Sequence, residues 1–171
     1  MAIREILIDE HPLLRKKAKE VKKMTPVVKA LCQDLIETMQ AAPGVGLAAN
    51  QIGALHRVIA VELPEDEDEP LSGKAFCLVN PVLASASGSQ IGNEGCLSVP
   101  GYVGEVDRFE EIVVKALAEN GRPVKLNVDG FFARVLQHEM DHLDGVLYID
   151  KLTSPDKLYK VEPGQEEVDE V

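Results

Sequence analysis

The chain has 171 residues, 45% hydrophobic and 27% charged, which suits one globular domain with a real core. A net charge of −11 argues against direct nucleic-acid binding, because a phosphate backbone is held by clustered Lys and Arg. No apolar run approaches the roughly 20 residues that span a bilayer, so no membrane partner is expected.

The first residues lack the charged-then-apolar layout of a secretion signal. Three cysteines, Cys32, Cys77 and Cys96, form an odd and sparse set. Together these features predict reduced thiols and a cytoplasmic location, where one thiolate is available as a metal ligand. The acidity concentrates in Glu65-Asp66-Glu67-Asp68-Glu69 and in the tail from Gln165 to Val171. Both are read as solvated. No repeat or linker divides the chain, which predicts one domain over residues 1–160 and a loose acidic tail over 161–171.

In chain order, His11-Pro12-Leu13-Leu14 suggests a short surface turn or helix, with His11 structural. Thr25-Pro26 starts a helix, a capping hydroxyl followed by proline in the first turn. Val28, Leu31, Cys32, Leu35, Ile36 and Met39 form its apolar stripe, and it ends before Pro43-Gly44. Cys32 on that stripe reads as core. Gly44 to Gln51 reads as a loop of small residues where backbone passes close to something, with Gln51 offering an amide beside it. No Gly-Lys-Ser/Thr follows, so it is not a phosphate loop.

Arg57 to Leu63 and Ala75 to Val79 read as strands, the second holding Cys77 and broken by Asn80-Pro81. Val82 to Ser85 continues as strand, and Ser85 to Ser89 is a polar turn. Cys96 follows a glycine, on a kink, and by itself reads equally as buried hydrophobe or functional thiol. Glu110 to Ala118 and Pro123 to Val128 are strands joined by an Asn120-Gly121 hairpin turn.

Asp129 then caps a helix over about 130–143, whose apolar residues Phe131, Phe132, Val135, Leu136 and Leu143 follow the 3.6 period. Gly145 stops it in a left-handed conformation. Val146 to Leu152 reads as short strand or coil.

That last helix carries Gln137-His138-Glu139-Met140-Asp141-His142-Leu143. Residues four apart share a helix face, so His138 and His142 can bind one ion. Glu139 can reach a water held there. Cys96 supplies a third ligand, and no fourth is evident, which favours a catalytic over a structural site. Glu139 is then the general acid and base, and the Gln51 amide with the Leu97 backbone N–H are oxyanion donors. The chemistry implied is hydrolysis of an amide or related carbonyl.

Gly44-Val45-Gly46-Leu47-Ala48-Ala49-Asn50-Gln51, Glu94-Gly95-Cys96-Leu97-Ser98 and Gln137-His138-Glu139-Met140-Asp141-His142-Leu143, in this order and spacing, resemble the peptide deformylase family over about residues 3–153. The resemblance implies an α+β fold, antiparallel sheets around the metal-bearing helix with a further helix towards the N-terminus. It implies removal of the N-formyl group from the initiator formyl-methionine of newly made chains, with release of formate. It implies one divalent ion on Cys96, His138 and His142, Fe2+ in the cell, with Zn2+, Ni2+ or Co2+ in purified protein. The ligand types alone would suggest zinc.

It further implies substrate contacts from the Gly46 backbone and a methionine pocket of Val45, Phe131, Val135 and His138. Glu94 is expected to pair with Arg108 behind the site, and Arg134 either rims the pocket or points to water. Formyl-methionyl nascent peptides are the expected partners, with transient proximity to the ribosome. The acidic tail argues against docking through a basic C-terminal helix. The competing readings are a zincin-type metallopeptidase and a catalytically inactive metal-binding relative. The first takes its third ligand after the helix, where no His follows His142; intact Glu139 and Gln51 oppose the second.

Overall fold

The computed structural model describes residues 2–162, so the tail expectation for 163–171 lies outside the described residues. Among the described residues, two α-helices, four short 3-10 turns and eight strands make an α+β arrangement. The strands are β1 (Gly46–Ala48), β2 (Val58–Glu62), β3 (Ala75–Ser87), β4 (Gln90–Cys96), β5 (Val99–Arg108), β6 (Glu111–Leu117), β7 (Pro123–Asp129) and β8 (Leu158–Lys160). A five-stranded sheet runs β1-β2-β3-β6-β7 and a three-stranded sheet β4-β5-β8, with every pairing antiparallel.

Helix α1 (Pro26–Ala41) begins as expected. The Thr25 side chain accepts a hydrogen bond from Val28 N at 3.4 Å, with Pro26 in the first turn. Its stripe of Leu31, Cys32, Leu35 and Met39 packs on Leu47, Val58, Ala60, Cys77 and Val79. Helix α2 (Gly130–Leu143) covers the other face, packing Phe132, Val135, Leu136 and Leu143 on Ile59, Val61, Leu78 and Val114. Successive β2 residues therefore face opposite helices. The strand is buried on both sides, which accounts for its unbroken apolar run.

Several local expectations are corrected. Gly44 to Gln51 is not a loop throughout. Gly46–Ala48 pair with Val61, Ala60 and Ile59 of β2, and Ala49–Ile52 form a buried 3-10 turn. Asn80-Pro81 does not break β3, because both sit in a bulge between Val79 opposite Leu117 and Val82 opposite Lys115. Asn80, at φ 52°, uses its side chain to hold the Val21 backbone, accepting at 2.8 Å and donating at 2.7 Å. The turn expected over Ser85 to Ser89 is shorter, since β3 runs to Ser87 and β4 begins at Gln90.

Asp129 gives α2 no side-chain cap. It is still extended as the last residue of β7, paired with Glu111 of β6, and the chain turns at Gly130, whose N–H donates to Glu110 O at 3.0 Å. Gly145 ends the helix at φ 73°, as expected. Within Val146 to Leu152 lies a 3-10 turn, Tyr148–Asp150, and Leu152 makes an isolated bridge to Val106. No helix of the described residues is long and apolar enough to cross a membrane.

Candidate metal centre

Two elements, β4 and α2, bring the three candidate ligands to one point. Cys96 is the last residue of β4, where a register shift between Glu94 and Cys96 kinks the strand before the Leu97-Ser98 turn into β5. His138 and His142 lie in the last two turns of α2. One ligand atom from each of Cys96, His138 and His142 lies within 4.8 Å of the other two, and all three residues are buried. Cys96 Sγ is 3.4 Å from His142 Nε2. His11 stays apart and structural, accepting from Leu13 N at 3.2 Å. Cys32 and Cys77 lie in the core on the α1 side of the sheet.

Gln51 enters from the 3-10 turn after β1 and is fully buried. Its Oε1 accepts from Ala48 N at 2.9 Å, which fixes the flip of the amide. Its Nε2 donates to Ser98 Oγ at 3.0 Å and lies 3.7 Å from Cys96 Sγ. Glu139 is also fully buried, and neither of its oxygens has a hydrogen-bond partner among the described residues. Gly46 lies against it so closely that an added Cβ would stand 2.6 Å from Glu139 Oε1. The chain needs glycine there for backbone and carboxylate to share the space.

Behind His138 is a network that the sequence showed only in part. Glu94 is completely buried and accepts from Arg108 Nε and Nη2, each at 2.8 Å. Arg134 Nη1 donates to the same carboxylate at 2.6 Å. Arg134 thus neither rims a pocket nor points to water; it is 4% exposed and ion-paired. The sequence hides this pairing because a residue one step from an apolar helix position shows no partner in its own element. The fourth contact is His138 Nδ1, 2.8 Å from Glu94 Oε1. A carboxylate only accepts, so Nδ1 carries a proton towards Glu94, which leaves Nε2 as the ring nitrogen available to a metal. The Tyr148 ring stacks on His138 with centroids 6.0 Å apart.

The electrostatics are divided. Burial alone would raise the Glu94 carboxyl, but hydrogen bonds from Arg108 and His138 overcome it and hold Glu94 well below the usual carboxylate range. Burial pushes Glu139 well above that range, and the charge of Glu94 adds to the push. Burial, with His138 and Arg108 nearby, keeps His142 well below the ordinary imidazole value and hence neutral.

The donor set fits a divalent cation: one sulfur, two imidazoles, and His138 Nε2 buried with no hydrogen-bond partner among the described residues. Of the expected pocket residues, Val135 is wholly buried in the core, and Val45 and Phe131 pack on that core while partly exposed. Leu97 sits in the turn after Cys96, its side chain against Gly44.

Residues 3–158 match the family model described as polypeptide deformylase. A peptide deformylase of Thermomicrobium roseum is 44% identical over 173 aligned residues, covering 99% of this chain and 97% of that protein. One from Symbiobacterium thermophilum is 49% identical over 154 residues, covering 90% and 69%. The crystal structure of peptide deformylase from Ehrlichia chaffeensis in complex with actinonin superposes with a TM-score of 0.85 at 35% identity, covering 92% of each chain. Kinship over this much of the sequence places the chain in one group of enzymes, and it belongs to the polypeptide deformylase family.

Proposed function

We propose that the protein removes the N-formyl group from the N-terminal formyl-methionine of nascent polypeptides and releases formate. The observation that carries this reading is the convergence of Cys96, His138 and His142 beside a buried, unpartnered Glu139. Cys96 Sγ, His138 Nε2 and His142 would hold the ion, Fe2+ in the cell and Zn2+, Ni2+ or Co2+ in purified protein. When bound, a divalent ion supplies Lewis acidity, which acidifies water and polarises a carbonyl.

Glu139 takes the proton of the attacking water as oxygen bonds to the formyl carbon. It returns that proton to the amine nitrogen as the C–N bond breaks. Gln51 Nε2 and the Leu97 N–H donate to the formyl oxygen as its charge grows. Gly46 presents backbone to the peptide, and the partly exposed Val45 and Phe131 line the methionine pocket, with Val135 of the core forming its floor. Residues 1–160 act as one catalytic unit in the cytoplasm, transiently near the ribosome. A zincin-type reading loses force because Cys96, the residue proposed here as third ligand, lies on a strand upstream of α2.

Formate release is the direct test. Anaerobically purified, Fe2+-loaded protein is expected to release formate from formyl-Met-Ala-Ser and to leave acetyl-Met-Ala-Ser and internal peptide bonds intact. Cleavage of an internal bond instead would overturn the reading. For the pocket, Phe131→Ala is expected to lower kcat/KM about tenfold more for formyl-methionyl than for formyl-alanyl substrates. An unchanged ratio would remove Phe131 from the pocket.

A further inference from the structure

Two guanidiniums serve the one carboxylate that orients His138. Arg108 is shared, since its Nη1 also pairs with Asp141, which Lys151 contacts in turn. Among the described residues, Arg134 has no carboxylate but Glu94. The same Nη1 also donates to Val106 O in β5 at 3.1 Å, and Nη2 donates to Gln90 O in β4 at 2.9 Å. A single side chain one turn before His138 thus ties α2 to both strands of the β4–β5 hairpin, whose first strand ends at Cys96. It also fixes the oxygen of Glu94 opposite the one held by His138.

We infer that Arg134 is a positioning residue for the metal centre. It pins Glu94 and the β4–β5 hairpin to α2, so that His138 Nε2 and Cys96 Sγ meet at ligating distance. The inference rests on the ligand set proposed above. Arg108 alone leaves Glu94 free to follow Asp141; with Arg134 present the carboxylate is gripped from both sides. Partners that orient a metal-binding histidine ordinarily change metal affinity 10- to 100-fold when removed.

The test measures Zn2+ and Co2+ dissociation constants by chelator competition, beside unfolding of the metal-free protein. Arg134→Met is expected to raise both constants at least about tenfold, with Co2+ absorption bands altered. Arg134→Lys keeps the charge without the planar fork and is expected to recover part of the affinity. A purely structural role would lower the unfolding midpoint of metal-free and loaded protein alike and leave the constants, measured well below that midpoint, as in wild type. That result overturns the inference. Should Arg134→Met fail to fold, Arg134→Lys decides: weakened binding supports the assignment and wild-type binding overturns it. Cys96→Ser is the control for the ligand set. If it binds metal like wild type, the proposed centre fails, whatever the Arg134 variants do.

Discussion

Replacing Glu139 by alanine is expected to lower kcat for deformylation about 10³-fold, with metal content unchanged and KM within a few fold. Glu139 makes no hydrogen bond among the described residues, so its loss breaks no contact that positions Cys96, His138 or His142. What disappears is the group that moves a proton between water and the leaving amine. The same carboxylate is a burden to the fold, being fully buried, unpartnered and pushed up by burial. Glu139→Gln, which nearly preserves shape, should therefore lose activity to a similar degree while the metal-free protein becomes more resistant to denaturant. Steady-state kinetics at matched metal content and urea unfolding check the two halves. Turnover within about tenfold of wild type would remove Glu139 from proton transfer.

Glu94→Ala is expected to destabilise the protein by about 3–5 kcal/mol, the usual consequence of stripping one partner from a buried ion pair. Arg108 and Arg134 are 5% and 4% exposed, so neither can recover its lost partner from water. Arg108 keeps Asp141 and Arg134 keeps two carbonyls, which places the loss within that range rather than above it. With ordinary domain stability at about 5–15 kcal/mol, the variant would unfold in mild denaturant or fail to accumulate. Glu94→Gln retains an acceptor and the side-chain shape, and is expected to fall between the two proteins. Urea midpoints of metal-free protein measure the series. A shift below about 1 kcal/mol for Glu94→Ala would mean that the network is solvated rather than buried.

The two helices and four strands of the five-stranded sheet, β2, β3, β6 and β7, were legible because their signals are local, whereas β1 read as a loop because its small residues become a strand only by pairing with β2. Thr25-Pro26, the α1 stripe and the Asn120-Gly121 turn each state their structure within a few residues. Helix α2 was found at the bounds it occupies, although the chain enters it through Gly130 rather than through an Asp129 cap. The three-stranded sheet was largely missed. Gln90 to Cys96 holds two glycines and a single β-branched residue, and it becomes a strand by pairing with β5 rather than by propensity.

The sequence by itself determined the chemistry on offer: two imidazoles one helical turn apart, a glutamate between them, and one thiol and one amide in separate motifs upstream. Those are statements about residue type and helical period, which a one-dimensional pattern carries. Only the tertiary structure decided that Cys96 lies beside His142, that Gln51 is braced by Ala48 and Ser98, and that Arg134 turns inward to Glu94. Those contacts join positions 40 or more residues apart in most cases. They exist because a buried charge must find its partner wherever the packed chain brings one, and no local period encodes that meeting.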